Sequence, residues 1–175
     1  IEAFKLSDVK EGDCVLIPEF ICRDIVASIR TIGAKALFYS TGKDLSPLGP
    51  SEKWPKAKVV LATNYFGFPQ DLTPFEEYAR RTGAVIVEDN AHGFLSKDES
   101  GNWLGLRTDI GIFSYRKTFC LSDGASIVVN KAELLPFLDK QVSSIGAGYS
   151  LRVRLKCMLK NTPILGLSLW LSIML

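Results

Sequence analysis

A-V-I-V-E-D-N-A-H-G, residues 84–93, and D-I-G-I-F-S-Y-R-K-T-F-C-L-S-D-G-A-S-I-V-V-N, residues 109–130, decide the fold of this 175-residue chain. Each carries an apolar run rich in Val and Ile, of strand length and without polar alternation. That is the pattern of a strand buried on both faces, as in a parallel sheet. Each run ends in groups a buried strand does not need: Glu88, Asp89 and His92 after the first, Ser114, Arg116 and Lys117 after the second. Ligands of open α/β sheets bind outside the carboxyl ends of the strands. The two runs therefore predict an acid, an imidazole, a hydroxyl and an amine collected along one sheet edge.

An acid and a lysine so placed suit pyridoxal phosphate. That cofactor needs a lysine for its Schiff base and a carboxylate to keep its ring nitrogen protonated. The lysine must lose its proton to act as a nucleophile, against an ordinary pKa of about 10.4. A strand-end pocket and a cationic neighbour favour that loss, and Arg116 is adjacent in sequence.

From about Gly12 to about Lys131 the chain resembles the DegT–DnrJ–StrS sugar aminotransferases, of the type I (aspartate aminotransferase) fold. E-D-N-A-H is similar to that family's E-D-x-A-[HQ], and F-S-Y-R-K-T-x-x-x-x-D-G to its F-S-…-K-…-[ED]-G-G. The resemblance implies that Asp89 meets the pyridine nitrogen, His92 lies against the cofactor, Lys117 forms the Schiff base and Ser114 binds phosphate. Two departures stand out. The family usually has two more residues between its serine and lysine, and Ala125 replaces its second glycine. A variant branch reads S-x-R-K-T, as here.

Outward from these pieces, Cys14 to Ile17 reads as a strand. R-D-I-V-A-S-I-R-T-I-G places Ile25, Val26, Ile29 and Ile32 at helical spacing with Gly33 as the stop, and Lys35 to Tyr39 as the next strand. This is a βαβ unit. In the resembling family I-P-E-F-I-C maps to a P-x-x-T-aromatic motif whose aromatic stacks on the cofactor ring, and here that position is Cys22. Two readings stay open for it: a thiol over the ring, or a small core residue starting a helix. Residues 40–56, with three prolines and two glycines, predict a long exposed loop. K-V-V-L-A-T, residues 58–63, is a buried strand. At its end Asn64 and Tyr65 are expected near the site, and Phe66 and Phe68 as packing. Thr73 as N-cap, Pro74 at the first helical position and Glu76 at N3 predict a helix to Gly83, with Phe75, Tyr78 and Ala79 inward. Glu88 by itself could be a solvated strand end. Asp89 is less easily dismissed, because an unpaired charge beside buried structure is costly. Residues 96–108 read as a surface excursion with a hairpin at D-E-S-G-N. Arg116 has two readings, a contact to phosphate or carboxylate or a projection to solvent, and solvent or a salt bridge is preferred. A helix is expected over residues 131–142, with Leu134, Leu135, Leu138 and Val142 inward.

The expected architecture is α/β: a three-layer α/β/α sandwich with a mostly parallel sheet, residues 1–145 being part of a cofactor-binding major domain. Residues 146–175 form a basic, then apolar, tail of helical character. Arg152, Arg154, Lys156 and Lys160 precede an apolar run of about thirteen residues, short of the roughly twenty needed to span a bilayer. Its reading as a helix that packs on a further domain is preferred over membrane contact. A net charge of +2 without a basic stripe gives no reason to expect nucleic acid. Four cysteines without a C-x-x-C pair, and one histidine, argue against zinc. Their thiols are expected to be free in a reducing, cytoplasmic compartment.

The resemblance implies amino transfer from an amino acid, often glutamate, to a keto group on a nucleotide-linked sugar, for polysaccharide, lipopolysaccharide or antibiotic assembly. It also implies a homodimer. The dehydratase branch of the family carries histidine in place of the lysine, so Lys117 argues against it. A non-catalytic or truncated module of the same fold is the rival from another class. The chain starts without Met, and residues 1–11 hold no glycine or threonine for a phosphate-binding turn. The 175 residues alone are therefore expected to bind the cofactor weakly and to associate through apolar surface.

Overall fold

A computed structural model describes residues 1–119, 121 and 123–137. The expectations for Leu138, Val142 and the tail of residues 146–175 fall outside the described residues. The elements in chain order are α1 (Glu2–Leu6), β1 (Cys14–Pro18), α2 (Arg23–Thr31), β2 (Lys35–Tyr39), β3 (Val59–Thr63), α3 (Thr73–Thr82), β4 (Val85–Asp89), β5 (Ile110–Ser114), α4 (Tyr115–Thr118) and β6 (Ala125–Val129). The strands form one sheet in the order β2-β1-β3-β4-β5-β6. All pairs are parallel except β5 with β6.

The apolar runs are continuous because both faces of the sheet are covered. Successive side chains of a strand point to opposite faces. Val15 and Ile17 of β1, Val59 and Leu61 of β3 and Val87 of β4 face a core shared with Phe4 and Leu6 of α1 and Ile29 of α2. Leu16, Val60, Ala62 and Ile86 face the other way, onto Phe75 and Tyr78 of α3. Three layers result, as expected. The parallel register aligns Thr63 with Asp89 and Asp89 with Ile112, so the ends of β3, β4 and β5 lie side by side.

Several local expectations are corrected. Leu72, not Thr73, occupies the N-cap of α3, because the Asp71 carboxylate, two residues ahead, accepts the Thr73 N–H at 3.0 Å. The loop of residues 40–56 is not exposed throughout: Trp54 is buried and stacks on Tyr39 at 4.9 Å between ring centroids. Phe66 and Phe68 do not pack inward and are 68% and 73% exposed. In place of the start of a helix over 131–142, Ala132–Phe137 form a six-residue 3-10 helix with Leu134 buried but Leu135 outside. Pro136 lacks the N–H that an α-helical turn would use. The helix α1 had no reading in the sequence; its Ala3, Phe4 and Leu6 are buried.

Gly83 ends α3 in the left-handed region, at φ 75°, where its N–H caps the Ala79 carbonyl. A Cβ there would meet nothing within 4 Å, so substitution costs backbone strain alone. Gly83→Ala is expected to lower the unfolding free energy by about 1–2 kcal/mol. Urea titration reads this, and an unchanged midpoint would mean that the turn relaxes into another conformation.

Candidate active site

The carboxyl ends of the strands open into a cleft of about 320 Å³. Asp89, His92 and Lys117 line it, with Phe20, Ile21 and Cys22 from the β1–α2 connection and Thr63, Asn64, Tyr65 and Phe66 from the end of β3. The sheet brings together groups that lie up to 97 positions apart in sequence, from Phe20 to Lys117.

Asp89 closes β4 and is only 7% exposed. Its Oδ1 accepts the Ala91 N–H at 3.1 Å, and no cation pairs with it among the described residues. Burial pushes the Asp89 carboxyl above its ordinary pKa, while the Ala91 N–H and the charges of Lys117 and His92 pull it partly back. Lys117 stands on α4, a single turn between β5 and β6, with its Nζ 3.0 Å from His92 Nε2. The imidazole lies parallel to the Phe66 ring, centroids 6.0 Å apart. Partial desolvation and the nearby lysine charge lower the His92 pKa, against an opposing pull from Asp89. A neutral His92 can accept a proton from the ammonium of Lys117 or, in the other tautomer, donate to its free amine.

Cys22 lies at the N-cap of α2, exposed, as a free thiol on the cleft wall, so its reading as a core residue is overturned. Tyr65 donates its hydroxyl to the Phe20 carbonyl at 2.7 Å and ties the two loops of the cleft mouth together. Burial, then the charge of Asp89, pushes the Tyr65 hydroxyl up to about 12, so it stays a donor. The Thr63 hydroxyl is buried in the wall without a well-formed hydrogen bond.

Two expected site residues sit differently. Ser114 ends β5 as the N-cap of α4, makes no side-chain cap bond and is not part of the cleft lining. Asn64 borders the cleft but spends its amide behind it. Its Nδ2 donates to Glu88 Oε1 at 2.8 Å and to Asn90 Oδ1 at 3.3 Å, and its Oδ1 accepts from Gln70 N–H and Arg107 Nη2.

Sequence reasoning missed that network. Glu88 is fully buried and meets Arg107 through Nε at 2.9 Å and Nη2 at 2.7 Å, so the solvated strand end is overturned. Residues 96–102 do form a hairpin-like excursion, closed by the Lys97–Trp103 bridge, but Leu104 and Arg107 then turn inward. Asn90 Nδ2 donates to the Gly93 and Leu104 carbonyls and fixes the turn that carries His92. Strand alternation was the available signal: adjacent Glu88 and Asp89 must face opposite ways, so only one can enter the cleft. Arg116 is exposed, as expected.

The family model described as the DegT/DnrJ/EryC1/StrS aminotransferase family matches residues 2–143. GDP-perosamine synthase of Escherichia coli O157:H7 is 27% identical over 132 residues, which cover 72% of this chain and 36% of that protein. The dTDP-3-amino-3,4,6-trideoxy-alpha-D-glucose transaminase of Streptomyces venezuelae is 28% identical over 132 residues, 70% of this chain and 34% of that protein. Among solved structures, the aminotransferase TlmJ from Streptoalloteichus hindustanus superposes with a TM-score of 0.66 at 26% identity, over 77% of this chain and 38% of its own. The chain thus spans little more than a third of the length of each.

Proposed function

This chain belongs to the DegT/DnrJ/EryC1/StrS aminotransferase family, and from that premise we propose that the complete protein is a pyridoxal-phosphate-dependent aminotransferase acting on a nucleotide-linked keto sugar. Its amino donor is an amino acid, and its product serves polysaccharide or lipopolysaccharide assembly. The observation that carries this reading is the cleft in which buried Asp89 and the hydrogen-bonded pair of His92 and Lys117 meet. We further propose a cytoplasmic homodimer. Exposed Phe66 and Phe68 beside the cleft offer apolar surface to a partner subunit. Among the described residues no helix is long and apolar enough to cross a membrane.

The residues present fit the ring and the aldehyde of this cofactor. A carboxylate nine-tenths buried, without an ion-pair partner among the described residues, is matched by a ring N–H that carries positive charge. The bound cofactor would supply an electron-withdrawing ring that stabilises negative charge on the substrate carbon.

Within that frame each side chain has a defined task. Asp89 would hold the proton on the ring nitrogen. Lys117 would hold the cofactor through its aldehyde, and its Nζ would supply and accept the proton moved at the reacting carbon. His92, neutral near pH 7 because its pKa is lowered, keeps Nε2 within reach of that amine without adding a competing charge. Tyr65, through Phe20, holds the Cys22 loop at the mouth, and the aromatic rings there narrow water's access. Ser114, one residue from α4, is the proposed phosphate contact, reached if its free hydroxyl turns toward the cleft.

The test uses the complete protein loaded with pyridoxal phosphate. Mixed with glutamate and other amino acids in single turnover, it should release one equivalent of the donor's keto acid per site. It should then pass the amino group to a nucleotide-linked keto hexose. Release of no keto acid from any amino acid would favour a non-catalytic module instead.

A further inference from the structure

Lys117 stands on a turn with few anchors. The helix α4 is four residues long and lies between a half-buried strand end and the exposed stretch that follows. Its backbone is tied to β6 at Tyr115, whose N–H donates to the Gly124 carbonyl at 2.9 Å and whose hydroxyl shares a 2.7 Å hydrogen bond with Ser126 Oγ; beyond that, the Lys117 side chain itself meets His92 at 3.0 Å. The aromatic residues flanking the lysine do the rest, and they converge on one ring. Phe94 meets Tyr115 at 4.9 Å and 88°, Phe119 at 5.4 Å and 69°, and Phe113 at 6.2 Å and 89°. These are edge-to-face pairs, the arrangement that ring quadrupoles favour.

Phe94 is also two residues past His92, on the turn that Asn90 fixes through the Gly93 carbonyl at 2.9 Å. One ring therefore touches both ends of the lysine turn while its own backbone belongs to the histidine turn. Phe94 does not line the cleft. It can act on the chemistry only through the residues it holds.

We propose that Phe94 is the positioning residue that locks the Lys117 turn to the His92 turn, setting the contact between the two side chains and aiming the amine into the cleft. The proposal rests on the reading of Lys117 as the cofactor-binding lysine. It gives a direct reason for an aromatic residue on each side of that lysine, at Tyr115 and Phe119. Without Phe94 the four-residue turn keeps its tie to β6 but is linked to the turn after β4 by the Lys117–His92 hydrogen bond alone, with no ring to fix its geometry.

Two readouts test it in the complete protein. The first is the rate at which added pyridoxal phosphate becomes trappable on Lys117 by borohydride. Phe94→Ala should slow it about tenfold, the equivalent of one favourable ring pair, and Phe94→Tyr should restore it. The second is the titration of His92 in the cofactor-free protein, followed by exchange of its ring C2 proton in mass spectrometry. Phe94→Ala should raise the His92 pKa toward the ordinary value of about 6.5, because the lysine charge that lowers it moves away. General loss of stability would not move that titration in the folded protein. If Phe94→Ala does not fold, Phe119→Ala at a half-exposed position removes one arm of the clamp and should shift both readouts the same way. Unchanged trapping and unchanged His92 titration in the folded variant would overturn the positioning role while leaving the reading of Lys117 intact. A wild-type label on another lysine would overturn both.

Discussion

Lys117→Ala in the complete protein should leave no pyridoxal phosphate trappable by borohydride and should lower turnover by at least about 10²–10⁴-fold. That range is the contribution of a positioned proton-transfer group alone; loss of the covalent attachment adds to it. The expectation follows from where the lysines stand. Lys35 begins β2 and so lies at the opposite edge of the sheet from the cleft. Lys131 pairs with Asp109, which immediately precedes β5, and so marks that same far edge. Lys97 covers the face of Trp103, 4.1 Å from its centroid, on the hairpin excursion. Among the described residues Lys117 is the lysine that lines the cleft. Borohydride trapping followed by peptide mapping measures the outcome. A label that persists in Lys117→Ala, or that maps to Lys35 or Lys131 in the parent, would sink the assignment. His92 should respond as well: with the neighbouring ammonium gone its pKa rises, because that charge is one of the two causes that lower it.

The parts of this fold that could be read in the sequence are those whose physics is local. β4, β5 and β6 fall within a residue or two of the Val- and Ile-rich runs, because burial on both faces leaves no freedom for polar alternation. The cleft residues Asp89, His92 and Lys117 were legible for the same reason, since each follows an apolar run that ends at the carboxyl edge. What the sequence hid was directional. Phe66 read as packing because phenylalanines usually pack, yet it adopts φ 56° beside Gly67 at φ 86°, and the left-handed turn throws its ring outward over His92. Arg107 lies in a segment rich in polar and turn residues, and its value comes from a glutamate 19 positions away in sequence. A buried charge pair announces itself in sequence only as two charges. Pro136 was a legible warning against an uninterrupted helix over 131–142.

Asp89→Asn should keep its fold, bind the cofactor and lose turnover on the order of 10²–10³-fold, the range seen when one preorganised electrostatic group is removed from a reaction centre. The side chain retains an oxygen for the Ala91 N–H, so the strand end has no reason to rearrange. In the proposed role it loses the negative charge that would face the ring nitrogen, and an amide does not hold that nitrogen protonated as a carboxylate does. Stability should move the other way. Burial is the main cause that raises the Asp89 pKa, so the folded chain binds this proton more tightly than the unfolded chain does. The contribution of Asp89 to stability is therefore most favourable below the ordinary carboxylate pKa of about 3.9 and is lost as pH rises through the folded value. At neutral pH the cofactor-free protein carries the full penalty of a buried carboxylate without an ion-pair partner among the described residues, and Asn removes it. Urea midpoints of the cofactor-free protein should thus rise in Asp89→Asn at pH 7 and converge with the parent toward pH 4. Single-turnover rates with an amino donor give the other half of the test. Unchanged rates would mean that another acid meets the ring. Glu88, already committed to Arg107 behind the cleft, would have to break that pair to do so. A midpoint that falls at pH 7 would mean that the carboxylate is neutralised by a partner other than the cofactor.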